Sequence, residues 1–323
     1  MPQVSVIIPN YNHGKYLARR IDTVIGQSID DLQIIILDDA STDDSLTIIA
    51  PYLADPRITL ITNECNSGNP FVQWNKGVEL ATSDYVWIAE SDDYADPHLL
   101  EILMASIKAN PGVGLAYCQS WLVDEEGRKT QTFDNYDRSV SKGRWKEGFV
   151  NKGADEIRNY LVKKNTIPNA SAVLFSRKIY QQAGAAPENL QLCGDWLTWV
   201  RILTRCDLVF IPEPLNFFRS SHASSQRTLA KKEALDVLEG LFVLNYVESE
   251  INLSKTEFRQ SFYAHVSTWA MYAIAYRYSL RLNMSIFRKF SKISREPLPV
   301  FFLRSGLLFV HQLGLAFTRL FRK

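Results

Sequence analysis

Cysteine is scarce in this chain of 323 residues: Cys65, Cys118, Cys193 and Cys206 stand apart, with no CxxC pair. Four dispersed thiols exclude a disulfide framework and a thiolate zinc site, and they fit a reducing cytosol. Glycine is thinly spread, 15 in all, and no G-x-G-x-x-G, P-loop, H-E-x-x-H or G-x-S-x-G sequence occurs. That removes the usual dinucleotide, NTPase, zinc-protease and hydrolase readings. Long apolar runs are missing too. The uncharged stretches between Arg259 and Arg277 and between Arg304 and Arg319 contain Gln260, His265, His311 and Gln312. A spanning helix needs about 20 mostly apolar residues, so none is expected. The start, Met-Pro-Gln, leads straight into an apolar segment without the basic opening and long apolar core of a signal peptide, so no export signal is expected. There is no internal repeat or low-complexity tract.

What is present is an ordinary globular composition, 46% hydrophobic, 12% aromatic and 22% charged, long enough for about two domains. The formal net charge of +1 hides a division. From residue 251 onward there are twelve bases against two acids, net +10, which leaves −9 on the first 250 residues. A basic tail on an acidic body points to a polyanionic partner surface. The leucine and aromatic content of the tail favours an anionic membrane over nucleic acid, which is not expected as a partner.

The first hundred residues alternate strands and helices. Val4 to Pro9 is a short, nearly all-apolar, β-branched run, as in a strand buried on both faces of a parallel sheet, Leu32 to Leu37 reads as a second buried strand, and Ile58 to Ile61 and Tyr85 to Ala89 read as a third and a fourth strand. Helical spacing links Tyr16 to Ile25, Leu46 to Leu53 and the stretch around Trp74, Val78 and Ala81. Asp96-Pro97 reads as an N-cap with proline at the first helical position. The expected fold is α/β, with a Rossmann-like, mostly parallel central sheet flanked by helices and an all-helical extension at the C-terminus. The expected division is a catalytic domain over 1–225, made of halves 1–112 and 113–225, and a basic helical region over 226–323. In the second half Val113 to Cys118, Ala170 to Phe175 and Leu208 to Ile211 read as strands. From 226 the chain reads as helical, broken at Pro297 and Pro299.

Two acidic clusters, Asp38-Asp39 and Glu90-Ser91-Asp92-Asp93, follow strands, at the end of an open sheet where ligands bind. Adjacent carboxylates are costly to hold together without a positive neighbour. Mg²⁺ or Mn²⁺ would serve, bound by one or two carboxylates and completed by substrate phosphates. With Asp96 as the cap, Asp92 and Asp93 have no structural duty. Asp38-Asp39 has the competing reading of a helix start at Ser41 to Asp44, but a carboxylate there also suits a pyrimidine N–H or ribose hydroxyls. Asp195, before the helical Leu197 to Leu203, reads by itself as an N-cap.

Taken together, VSVIIPNYN (Val4 to Asn12), LDDASTD (Leu37 to Asp43), the Asn66-x-Gly68 and Asn75-x-Gly77 pairs and AESDD (Ala89 to Asp93) resemble, in order and spacing, the family-2 glycosyltransferases. These are inverting enzymes of the GT-A fold, with a surface-polysaccharide branch. The resemblance covers roughly residues 3–225 and leaves the tail aside. It implies that Pro9, Tyr11 and Asp39 surround the nucleotide base, with Asp38 nearby and Asn12, Asn66, Gly68 and Asn75 on the same nucleotide side. It places Asp92 and Asp93 at the metal and diphosphate, with Glu90 where the family usually has aspartate. Cys193-Gly194-Asp195-Trp196 resembles the element whose carboxylate is the catalytic base. Arg219-Ser-Ser-His222 resembles a late stretch whose histidine completes the metal shell.

The expected activity is therefore metal-dependent, inverting transfer of a sugar from a nucleotide-diphosphate donor, UDP favoured, to a hydroxyl of a glycan or lipid-linked glycan. A helical wheel gathers Phe302, Phe309, Leu313, Phe317 and Leu320 opposite Arg304, His311, Arg319 and Arg322, the pattern of an interfacial helix. Residence in the cytoplasm, peripheral on the inner face of the cell membrane, follows from it. The competing classes are a non-catalytic nucleotide-sugar-binding scaffold and, ranked last, a nucleotidyltransferase.

Overall fold

The computed structural model describes residues 2–133, 140–219 and 225–320. They form two compact units, residues 1–156 with 166–221, and residues 157–165 with 222–323.

The first unit holds ten strands: β1 (Val4–Asn10), β2 (Leu32–Asp38), β3 (Ile58–Thr62), β4 (Tyr85–Ile88), β5 (Tyr94–Ala95), β6 (Val113–Val123), β7 (Lys129–Thr132), β8 (Phe149–Asn151), β9 (Val173–Ser176) and β10 (Asp207–Arg219). Its helices are α1 (Gly14–Ile25), α2 (Ser45–Ile49), α3 (Pro70–Leu80), α4 (Leu99–Ala109), α5 (Gly153–Glu156), α6 (Arg177–Gln182) and α7 (Gly194–Leu203). The strands lie in the order β3-β2-β1-β4-β9-β6-β10-β5, with β7 on β6 and β8 on β10. All seven residues of β1 are buried, as a strand covered on both faces requires. Gly77 lets α3 lie close on β1, since a Cβ there would meet Ile7 Cγ2 at 2.5 Å.

β1 pairs in parallel with β2 and β4, and β2 with β3, so the loops after β1, β2 and β4 share one edge. The sheet is more mixed than expected, because β9 runs antiparallel between β4 and β6. β9 enters from the edge where β4 ends, which brings the turn before it, Asn169 to Ser171, to that edge. β10 is also far longer than its apolar core. Register shifts near Ile211, Pro214 and Asn216 absorb Pro212 and Pro214, which cannot donate to a regular ladder. α4 starts at Leu99 rather than at Pro97. Asp96 instead closes a turn, its Oδ1 accepting from His98 N at 2.9 Å, and its carbonyl is taken by Gln27 Nε2 at 2.8 Å.

The second unit comprises a π-helical turn, Ile157–Leu161, and helices α8 (Ser225–Lys232), α9 (Leu235–Glu250), α10 (Lys255–Ala275), α11 (Leu280–Ile293) and α12 (Leu298–Leu320). Ser254 and Glu257 form a reciprocal capping box at the start of α10. Pro299 falls in the first turn of α12, where proline is tolerated, and the helix runs on through Gly306 and Gly314. α12 corrects one expectation. Its window Leu298–Leu315 has a mean hydropathy of 1.4, long and apolar enough by composition to cross a membrane, because Arg304 is its one charge. The apolar side of the wheel is largely the exposed one. Phe301 and Ser305 are buried and a partly exposed Arg304 pairs with Glu296, while Phe302, Leu303, Leu307, Val310 and Leu313 stay exposed.

Candidate active site

Three loops meet at the carboxyl edge of β1, β2 and β4. Asn12, at a positive φ of 55°, locks the first to the second: its Oδ1 accepts from Thr42 N at 2.7 Å and Asp43 N at 3.2 Å, and its N–H reaches Ser41 Oγ. Asp43 Oδ2 accepts from Gly14 N at 2.9 Å. Ser41, Thr42 and Asp43 thus tie loops together, and the start of α2 at Asp44 has no side-chain cap. Asp38 is buried and closes the same junction, accepting from Asn10 Nδ2 at 2.8 Å and Ser41 N at 2.9 Å.

Asp39 faces the other way. Its carboxylate accepts from Asn63 Nδ2 (2.6 Å), Gln73 Nε2 (2.9 Å), Ser67 N (3.0 Å) and Ser67 Oγ (2.7 Å). Asn66 Nδ2 reaches the Asp39 carbonyl at 3.2 Å, and Asn66 Oδ1 accepts from Gly68 N at 2.6 Å, closing a tight turn in which Gly68 has φ 72°. Asp39, Asn66 and Gly68 therefore form one cluster, and Asp39 N donates at 2.8 Å to the carbonyl of Asn10, which stands in the chain between buried Pro9 and an exposed Tyr11. Asn75 sits elsewhere on α3. It donates to Ala186 O and Glu188 Oε1 and accepts from Tyr180 O–H and Ala186 N, so it fastens α3 to the loop after α6.

The acidic turn Glu90 to Asp93 follows β4. Trp74 Nε1 donates to Glu90 Oε1 at 2.9 Å. Burial, and after it the charge of Asp92, pushes the Glu90 carboxyl up to about 8. Asp93, also buried, is held above the usual carboxylate range, first by burial and then by Asp92. Arg219 N donates to Asp93 Oδ1 at 2.9 Å, and its Nε to Asp92 O at 2.8 Å. On the far side lies Arg20, fully buried, a residue that sequence reasoning missed. Its signal was a charge on the buried stripe of α1, beside Leu17, Ile21 and Val24.

The donor set can be tested against a divalent cation. Two adjacent hard oxygen ligands, one driven up by burial and by its neighbour, suit Mg²⁺ or Mn²⁺. Among the described residues no three His, Cys, Asp or Glu side chains come together to hold an ion by themselves. A shell of one or two carboxylates completed by phosphate and water fits that count. His222 lies outside the described residues.

Asp195 is half-buried in the first turn of α7, its Oδ1 accepting from Trp196 N at 2.7 Å. The N-cap position of α7 is Cys193, and Asp195 stands two residues further on, inside the first turn. α7 packs on α3 through an aromatic seam, with Phe71 on Trp74 at 5.2 Å and Trp74 on Trp199 at 5.9 Å. Gly194 permits the approach, since a Cβ there would fall 2.3 Å from the Phe71 ring. The same Trp74 thus touches the helix of Asp195 and the side chain of Glu90.

Comparison with known proteins fits this geometry. Chondroitin synthase of Escherichia coli is 33% identical over 128 residues, 39% of this chain and 18% of that protein. The GalNAc(5)-diNAcBac-PP-undecaprenol beta-1,3-glucosyltransferase of Campylobacter jejuni is 26% identical over 261 residues, 79% of this chain and 77% of the relative. The chain therefore spans less than a fifth of the first of these relatives and about three quarters of the second. Among solved structures, S. aureus TarS 1-349 superposes with a TM-score of 0.68 at 17% identity, covering 89% of this chain and 80% of that one; it has also been solved with UDP-GlcNAc. The mannosyltransferase PcManGT of Pyrobaculum calidifontis, solved with GDP-Man and Mn²⁺, gives 0.56 at 16% identity and covers 98% and 81%. At these identities the likeness is one of fold, and the fold is GT-A. The model of glycosyl transferase family 2 matches residues 5–182, more than half of the chain, and the chain is a glycosyltransferase that belongs to that family.

Proposed function

We propose that this glycosyltransferase is metal-dependent and inverting, and that it moves a sugar from a UDP-linked donor to a hydroxyl of a lipid-linked glycan. The observation that carries the reading is the acidic turn Glu90 to Asp93, joined through Trp74 to the helix that presents Asp195. The uridine lies against Pro9 and Tyr11, with the Asp39–Asn66–Gly68 cluster at its ring edge. Asp38 and Asn12 hold the loops that shape this pocket. Asp92 and Asp93 would hold Mn²⁺ or Mg²⁺; when bound, the ion supplies charge stabilisation to the departing diphosphate. Asp195 takes the proton of the attacking acceptor hydroxyl, which makes displacement at the anomeric carbon direct. UDP-GlcNAc in TarS supports a UDP donor, Mn²⁺ in PcManGT supports the metal, and the undecaprenol-linked substrate in the name of the Campylobacter relative supports the acceptor class.

The second unit supplies the location, the cytoplasmic face of the membrane. α12 leaves Phe302 68% and Leu307 61% exposed, and α11 adds exposed Arg281, Arg288, Lys289 and Lys292 beside Leu280 and Met284. Exposed apolar side chains next to a cationic rim suit anionic headgroups.

A thermal-shift panel of UDP, GDP, dTDP and CDP with Mn²⁺, Mg²⁺ or EDTA tests the donor site. The expected result is stabilisation by UDP only with metal, lost in Asp93→Ala. Asp195→Asn should cut transfer at least about 100-fold while keeping the UDP response. Loss of both together would give Asp195 a structural role instead.

A further inference from the structure

The acidic turn is held from two sides. Arg219 takes the Asp92 carbonyl. Arg20 Nε donates to the Glu90 carbonyl at 2.8 Å, and its Nη2 to Ser171 Oγ at 3.2 Å. The same Ser171 hydroxyl accepts from Glu90 N at 3.0 Å. Both main-chain polar groups of Glu90 are therefore fixed by Arg20 and its immediate partner.

Arg20 has 0% exposure, so no substrate atom reaches it. Burial lowers its guanidinium to about 10, still a cation at neutral pH, and Asp93, Asp92 and Glu90 are the charges that offset the loss. Among the described residues its Nη1 has no hydrogen-bond partner. Packing does not ask for an arginine here, because the stripe of Leu17, Ile21 and Val24 would continue as well with an apolar residue. A buried cation with an incomplete shell is costly unless charge and hydrogen bonding use it.

We propose that Arg20 is a positioning residue for the donor-binding turn, fixing Glu90 by a two-point hold so that Asp92 and Asp93 stand in place before the divalent ion and the diphosphate arrive. The proposal rests on the reading of Asp92 and Asp93 as the metal and diphosphate site. It makes a prediction opposite in sign to charge alone. Removing a cation close to a metal site should tighten metal binding by Coulomb's law. Removing the hold on the ligands' own turn should weaken it.

The experiment is calorimetric titration of Mn²⁺ in the presence of UDP into wild type, Arg20→Met, Arg20→Lys and Asp93→Asn, with the melting temperature of each protein taken free of metal and nucleotide. Arg20→Met should bind Mn²⁺ about 10-fold or more weakly, the usual loss when a group behind a metal ligand is removed. Arg20→Lys keeps the charge but makes one of the two bonds, and should fall between it and wild type. Mn²⁺ affinity in Arg20→Met equal to or tighter than wild type overturns the proposal. If Arg20→Met does not fold, wild-type affinity in Arg20→Lys overturns it equally. Asp93→Asn separates the foundations: loss of Mn²⁺ there with full retention in the Arg20 variants refutes Arg20 alone. Retention in Asp93→Asn removes the site reading and this proposal with it.

Discussion

Asp38 and Asp39 are adjacent in the chain and do different work. Asp38 is spent on Asn10 and Ser41 at the crossing of two loops, whereas Asp39 gathers donors from Asn63, Ser67 and Gln73. Sequence shows the pair but not the division, because Asp39's partners come from a different loop and from α3. His265 carries another single-residue consequence. It sits inside α10 with Nε2 at 3.0 Å from the Val162 carbonyl, and burial lowers it to about 4, against about 6.5 in an unfolded chain. The unfolded chain then takes up a proton that the folded one refuses. Stability from this residue is complete above about pH 6.5 and is lost progressively toward pH 4, by roughly 3 kcal/mol at most. Melting temperatures at pH 7.5 and pH 5 should show the loss in wild type, and a shallower dependence in His265→Gln. Equal slopes would remove His265 from the account.

At the scale of elements, β1, β2 and β4 are legible because burial of nearly every residue writes an unbroken apolar run, whereas β3, a partly exposed edge strand, shows only a short one. β10 was legible only in part: Pro212 and Pro214 argue against a strand until the register shifts that accommodate them are seen. The turn before β9 has no assigned role in the sequence, since it is the antiparallel insertion of β9 that brings Ser171 to Glu90. The seam between α3 and α7 depends on one missing side chain. Gly194→Ala should push into Phe71 and cost roughly 1–3 kcal/mol, seen as a lower melting temperature together with a lower kcat. Phe71→Leu in the same chain should recover part of both, a coupling that a double-mutant cycle reads directly. Additive effects would mean that the seam does not link the two helices.

Across the whole molecule, charge divides between an acidic first 250 residues and a basic remainder, and the proposed membrane contact is tested on the basic part. Changing Phe302 and Leu307 together to glutamate alters only exposed positions. The full-length variant should keep its melting temperature, yet sediment far less with phosphatidylglycerol vesicles than wild type does. Added salt should weaken wild-type binding as the Debye length shortens. Undiminished sedimentation of the variant would exclude α12 as the contact. The strand order also sets a schedule for biosynthesis. β4 ends at Ile88, but its neighbour on the open side, β9, does not begin until Val173. At about 5–20 residues per second, the growing polypeptide leaves the ribosome with the apolar edge Tyr85–Ile88 uncovered for several seconds. During that interval the nascent chain depends on a chaperone, or on speed, to avoid pairing with its neighbours on the polysome.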